Sequence, residues 1–270
     1  MASTRKGYHT DGHLHLFIDG APIRSSGIEE FKNTLLRYNI GEIYDMGSRD
    51  GLGLKFRRYF EDSPLILRSC GYALYRDGTY GRFLGRPVKD ARDIKEYIKD
   101  LCGNKADFIK IINSGIMTAS GRISEGGFSG DELRIIVDEA HERGLKVFCH
   151  VSSPERIIEA LNAGVDSVEH GFFMPEEALH MMREGAVSWT PTVYALKCFI
   201  KGPGRTDREV LEGVLKDHME MVSIAARLGI EIRAGSDSGA SGIRHGHALL
   251  EEKRILSVLT TGSGRTFFPR

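Results

Sequence analysis

Residues 145–171 read "LKVFCHVSSPERIIEALNAGVDSVEHG". The apolar run "LKVFCHV" (145–151) predicts a buried strand. "SPERIIEALNAG" (153–164) predicts a helix, with Ser before Pro at its start and Gly at its end. "DSVEHG" (166–171) returns to strand character. Strand, helix and strand within 27 residues form a βαβ unit, which needs parallel strands.

The same alternation runs outward in both directions. Strand candidates before it are "HLHLFI" (13–18), "GEIYDM" (41–46), "PLILRSC" (64–70) and "DFIKIIN" (107–113). After it come "AVSWTPT" (186–192) and "IEIRAGSD" (230–237). Helix candidates include "SGDELRIIVDEAHERG" (129–144), "MPEEALHMMREG" (174–185) and "HALLEEKRILSVL" (247–259). The first of these has a Ser cap region, early acids, apolar spacing of three and four, and a terminal Gly. Eight strands, each followed by a helical stretch, fit an α/β fold of the (β/α)8 TIM-barrel type. No G-x-G-x-x-G follows the first strand, which argues against dinucleotide binding. "GYALYRDGTYGRFLGRP" (71–87) and "ALKCFIKGPGRTDRE" (195–209) are expected as loops at the C-terminal end of the barrel, where barrel active sites lie.

Composition narrows the classes. The chain has 270 residues, enough for one barrel domain. It carries 37 Lys+Arg and 37 Asp+Glu, so its formal net charge is zero and neither nucleic acid nor an anionic membrane is an expected partner. Cys70, Cys102, Cys149 and Cys198 lack the spacing of a zinc knuckle or a disulfide framework. Cys149 precedes His150 on a strand, so the two point to opposite faces and Cys149 reads as a structural thiol. No apolar run reaches 18 residues, and the first residues contain no signal-type apolar region. A soluble cytoplasmic protein is expected.

Polar residues fall at the strand ends. His13 and His15 stand two apart, so a strand aims both imidazoles at one spot. Alone, such a pair reads equally as two hydrogen-bonded strand histidines. Lys110 sits between isoleucines in the fourth strand, His150 ends the fifth, His170 ends the sixth and Asp237 ends the eighth. Each has an ordinary reading taken singly: a paired buried lysine, a core histidine, a helix-capping aspartate. A metal site explains all of them together.

The ordered set "DGHLHL", "DFIKI", "HVSSPERIIEALNAGVDSVEHG" and "AGSDSG" resembles the metal-dependent amidohydrolase superfamily, within it the imidazolonepropionase-like and prolidase-like group. The resemblance covers nearly the whole chain. It implies that His13, His15 and Asp237 bind a first metal and that His150 and His170 bind a second. It implies further that Lys110, carboxylated on its amine, bridges the two. A bridging hydroxide would attack, and Asp237 would shuttle its proton to the leaving group. Zinc is the first choice of divalent metal, with two ions per chain, or one in a mononuclear variant. The implied reaction is hydrolysis of a carboxamide or cyclic amide C–N bond in a small-molecule substrate, such as a dipeptide or an imidazolone-like ring. A lactonase or deaminase on the same site is the alternative, as is a metal-binding barrel without turnover. Tyr194 and His245 are candidate substrate contacts. Relatives of this kind carry a small accessory β-sandwich, for which neither end of this sequence leaves room. The expected organisation is an N-terminal arm (1–12), a barrel domain (13–260) and a C-terminal tail (261–270). Uncovered barrel surface then implies a homo-oligomer interface or modest stability.

Overall fold

A computed structural model describes residues 7–261. The first six residues of the expected arm, and the expected tail beyond its first residue, lie outside that range. The strands are β1 (His9–Leu14), β2 (Phe17–Ile18), β3 (Ala21–Pro22), β4 (Ile40–Asp45), β5 (Ile66–Ser69), β6 (Ala73–Arg76), β7 (Gly85–Val88), β8 (Ile109–Ile112), β9 (Val147–Val151), β10 (Ser167–His170) and β11 (Ser188–Thr190). The helices are α1 (Ile28–Arg37), α2 (Leu52–Phe56), α3 (Ala91–Gly103), α4 (Gly130–His141), α5 (Pro154–Ala163), α6 (Glu176–Glu184), α7 (Val193–Lys201), α8 (Arg208–Leu228) and α9 (His247–Leu259). The quoted stretch forms the βαβ unit β9–α5–β10, with Phe148 opposite Ser167 and His150 opposite Glu169 in a parallel ladder.

All pairs except the short β2–β3 hairpin are parallel, in the orders β1-β4-β5 and β11-β10-β9-β8-β6-β7. The barrel closes through residues 231–238. Trp189 N–H donates to Glu231 O and Arg233 N–H to Trp189 O (2.9 and 2.8 Å) on one side. On the other, Gly12 N–H donates to Ala234 O and Asp237 N–H to His13 O (2.8 and 2.7 Å). The eighth strand expected at 230–237 is therefore present only as bridges, because Gly235 and the left-handed Asp237 (φ 51°) break a regular ladder. Glycine is required at this seam: a Cβ on Gly235 would stand 2.4 Å from Thr190 Cγ2 and 2.6 Å from His13 Cβ.

Two further expectations are corrected. The first strand is 9–14 rather than 13–18, so His9–Gly12 belong to the barrel and not to an arm. The polar start "HTDG" hides this, since Asp11 is fully buried by hydrogen bonds rather than by apolar contacts. The third strand does not end at residue 70 in a long loop. It breaks at Gly71 (φ 73°), and β5 pairs with β4 while β6 pairs with β8. The expected loop 71–87 thus contains β6 and β7.

Period-two alternation sorts the strands into two layers. Ile109, Ile111, Val147, Cys149 and Val168 face the helices and join the main core. Phe108 and Phe148 face inward, stack at 4.5 Å between centroids, and with Met46 and Cys70 pack inside the barrel below Lys110 and His150. The helices bury matching stripes; α4, with Leu133, Ile136, Val137 and Ala140 inside, starts in a full capping box between Ser129 and Glu132. Among the described residues no helix is long and apolar enough to cross a membrane.

Candidate metal centre

Above the aromatic floor, strand C-terminal ends open into a cavity of about 500 Å³ whose lining includes His13, His15, Lys110, His150, His170 and Asp237. All six polar strand-end residues singled out in the sequence therefore meet in one pocket.

His13 and His15 reach the same point although His15 lies just past the end of β1. Both Nε2 atoms lie 3.5 Å from Asp237 Oδ1. One donor atom from each of these three residues falls within 4.8 Å of the others, the spread of a three-ligand metal site. His170 joins them, its ring 4.8 Å from His13 and 4.6 Å from His150. His170 is left-handed (φ 68°), which breaks strand alternation and lets both it and its neighbour Glu169 face inward.

Outer contacts fix each imidazole. Glu169 Oε2 accepts from His13 Nδ1 at 2.5 Å, leaving Nε2 bare toward the pocket. His15 Nδ1 donates to the Gly47 carbonyl (3.2 Å), again freeing Nε2. His170 Nδ1 donates to Thr192 Oγ1 (2.8 Å). His150 is turned the other way: Nε2 donates to the Gly115 carbonyl (3.1 Å), so Nδ1 is its free nitrogen. Asp11 clamps the Asp237 loop by accepting from Ser236 N and Oγ (2.9 and 2.6 Å) and from His13 N (3.3 Å). Burial raises Asp11 to about 7 against those bonds.

The electrostatics favour a cation bound by neutral imidazoles. Burial, then the Lys110 charge, lowers His13 and brings His150 down to about 3. Burial and the neighbouring imidazoles hold His170 well below its usual range. Asp237 is held below its usual range: burial opposes this, but the adjacent His15 and His13 rings and Lys110 outweigh it. Lys110 is the misfit. Its Nζ is buried and has no hydrogen-bond partner among the described residues, and burial lowers its pKa against the pull of Glu169. A lone ammonium facing several imidazoles is an expensive arrangement. The donor set and this orphaned amine fit a bound divalent metal.

The two candidate substrate contacts fall elsewhere. Tyr194 is not part of the pocket lining; its ring lies edge-on to His247 at 6.0 Å. His245 has both nitrogens engaged, Nδ1 accepting from Ser238 Oγ and Nε2 donating to the Phe17 carbonyl (2.7 Å each). It braces the loop that carries Asp237. Tyr80, from the Tyr-rich segment, does line the pocket, 5.7 Å from the His150 ring. Sequence reasoning missed Glu169, because simple alternation sends it away from His170. It also missed Thr192 and Glu252, whose roles depend on contacts far apart in sequence. A buried Glu immediately before a strand-end His was the available signal.

Residues 10–264 match the family model described as Amidohydrolase family. An uncharacterized protein of Mycobacterium tuberculosis is 27% identical over 194 residues, covering 69% of this chain and 51% of the relative. Ochratoxinase of Aspergillus niger is 25% identical over 182 residues, covering 66% of this chain and 38% of its own. The chain thus spans about half the length, or less, of the curated relatives it matches. Among solved structures, a Xaa-Pro dipeptidase with methionine in its active site superposes with TM-score 0.77 at 21% identity, covering 94% of this chain and 70% of that one. The A. niger ochratoxinase structure superposes with TM-score 0.74 at 18% identity, covering 94% and 69%.

Proposed function

This chain belongs to the amidohydrolase family, and from that premise we propose that it is a metal-dependent hydrolase of carboxamide C–N bonds in small molecules that carry an amino-acid end. The observation that carries this reading is the convergence of His13, His15, His150, His170 and Asp237 around the orphaned Lys110 amine at an open barrel mouth. His13, His15 and Asp237 would hold one divalent ion, with zinc the first choice, and His150 and His170 a second. When bound, such ions lower the pKa of water and polarise a carbonyl.

The chain's own groups set up the rest. Burial favours the neutral amine of Lys110, the form that can add carbon dioxide and release a proton to become an anionic carbamate able to bridge two cations. Asp237, ionised and seated at the mouth, accepts a proton from the attacking water at Oδ and returns it to the leaving nitrogen. Phe172, Leu196 and Phe199 form an apolar wall for the substrate body. Arg205 lies over the Phe199 ring, 3.5 Å from its centroid, with Nε bonded to the Phe199 carbonyl (2.7 Å). It forms no ion pair among the described residues, so its guanidinium is available to a substrate carboxylate. An amino acid in the active site of the structurally similar dipeptidase supports an amino-acid end on the substrate.

The test compares wild type with Asp237→Asn on N-acyl amino acids, by metal analysis and initial rates. The expected result is metal retained and hydrolysis reduced about 10²–10⁴-fold. Wild-type rates in D237N would remove Asp237 from the chemistry. A metal-loaded wild type inert on amides, lactones and amines alike would refute the enzymatic reading.

A further inference from the structure

We propose that Glu252 is a positioning residue for the metal pocket, capping α7 in place of Thr192 so that the Thr192 hydroxyl can hold His170. The proposal rests on the reading of the pocket as a metal site.

Thr192 occupies the position before α7 where a threonine ordinarily turns its hydroxyl back onto the first N–H groups of the helix. It makes no such bond. Its Oγ1 instead hydrogen-bonds His170 Nδ1 at 2.8 Å; with the ring proton on Nδ1, the tautomer a metal-binding Nε2 requires, the hydroxyl accepts and Nε2 is left for the pocket. The abandoned N–H groups of α7 are served from another helix. Glu252, fully buried on α9, accepts from Val193 N at 3.0 Å and from Tyr194 N at 2.6 Å. One carboxylate thus caps a helix from which it is separated by about sixty residues.

Two further observations point the same way. Thr192 is left-handed (φ 48°, ψ 44°), a strained conformation for a β-branched residue that persists only where the surroundings enforce it. The Glu252 bonds to the two residues that follow are positioned to do so. Glu252 also has no cationic partner among the described residues, and burial raises it to about 8 against its two N–H bonds. Protonated at neutral pH, the buried carboxyl still uses both oxygens as acceptors for the first N–H groups of α7. What it holds is the start of the helix that also brings Leu196 and Phe199 to the pocket.

The test is a cobalt(II) titration of wild type, Glu252→Ala, Thr192→Val and the double variant, with circular dichroism reporting the fold of each. Loss of an outer contact to a metal-binding histidine weakens binding about 10–100-fold. Both single variants are expected to lose affinity in that range, and the double variant no more than the weaker single. Glu252→Gln keeps an acceptor oxygen and is expected to recover most of the loss. A residue that merely stabilised the barrel would lower thermal stability and leave cobalt affinity alone. A folded E252A that binds cobalt like wild type overturns the proposal, as do losses that multiply in the double variant. If E252A does not fold, T192V decides: a folded T192V that binds cobalt like wild type overturns the proposal. Wild type that binds no cobalt overturns the metal-site reading and this proposal with it. Wild type that binds cobalt but hydrolyses no amide refutes only the hydrolase reading.

Discussion

The most consequential single residue outside the ligand set is Glu169. It is fully buried, and beside His13 it accepts from Ser167 Oγ at 2.7 Å. Burial opposes its ionisation, yet the Lys110 charge and the His13 bond hold it below the usual carboxylate range. Glu169→Leu strands the His13 N–H and removes the group that fixes its tautomer. Metal affinity is expected to fall about 10–100-fold, with Glu169→Gln retaining much of it, as measured by zinc competition with a chromophoric chelator. The six pocket residues were legible because each is a polar group within an expected strand: His150, His170 and Asp237 toward its C-terminal end, Lys110 between isoleucines, and His13 and His15 two residues apart. Glu169 was not, because its inward direction comes from the positive φ of His170, which no periodicity reports. Tyr194 misled for a related reason: it follows β11 as a pocket residue would, but the first turn of α7 rotates it away while Leu196 faces in.

Among the elements, the four helices named from the sequence fell within a few residues of their places, whereas 195–209, expected as a loop, holds most of α7 and the start of α8. α5 carries its proline at the start and its left-handed Gly164 at the end, as the sequence reads. Strand bounds shifted where tertiary hydrogen bonds, rather than apolar side chains, bury the backbone, as at Asp11 in β1. The docking of α9 on α7 has a pH signature. Glu252 ionises near 4.5 when unfolded and near 8 when folded. Between those values the folded state retains a proton that the unfolded state has lost, so this residue's contribution to stability declines as pH rises through that interval. Glutamine does not titrate. The margin in Tm of wild type over E252Q should therefore be smaller at pH 8.5 than at pH 5.5, read by thermal scans of both proteins. A margin that widens would contradict the sign.

At the scale of the molecule, the proposed ligands come from β1 and the residue after it, β8, β9, β10 and the irregular seam that closes the barrel. A bound ion therefore ties the first strand to the last. Metal at a hundredfold excess over its Kd stabilises by about 2.7 kcal/mol, so for a barrel of this size a chelator should lower Tm by about 5–10 °C. Calorimetry with and without chelator measures it, and an unchanged Tm would mean that the seam holds without the ion. The eightfold alternation made the barrel itself legible; the seam was not, because its glycine and left-handed aspartate replace a ladder by isolated bridges. That seam also orders events during synthesis. His13 and Ser236 stand 223 residues apart in the chain yet lie in contact. At ribosomal speeds roughly ten to forty-five seconds separate the emergence of the first histidines from that of Asp237. The nascent barrel must stay open along one side for that time. The two halves of the proposed cation site are therefore made far apart in time, and the His13 side waits on the seam before the site can be completed.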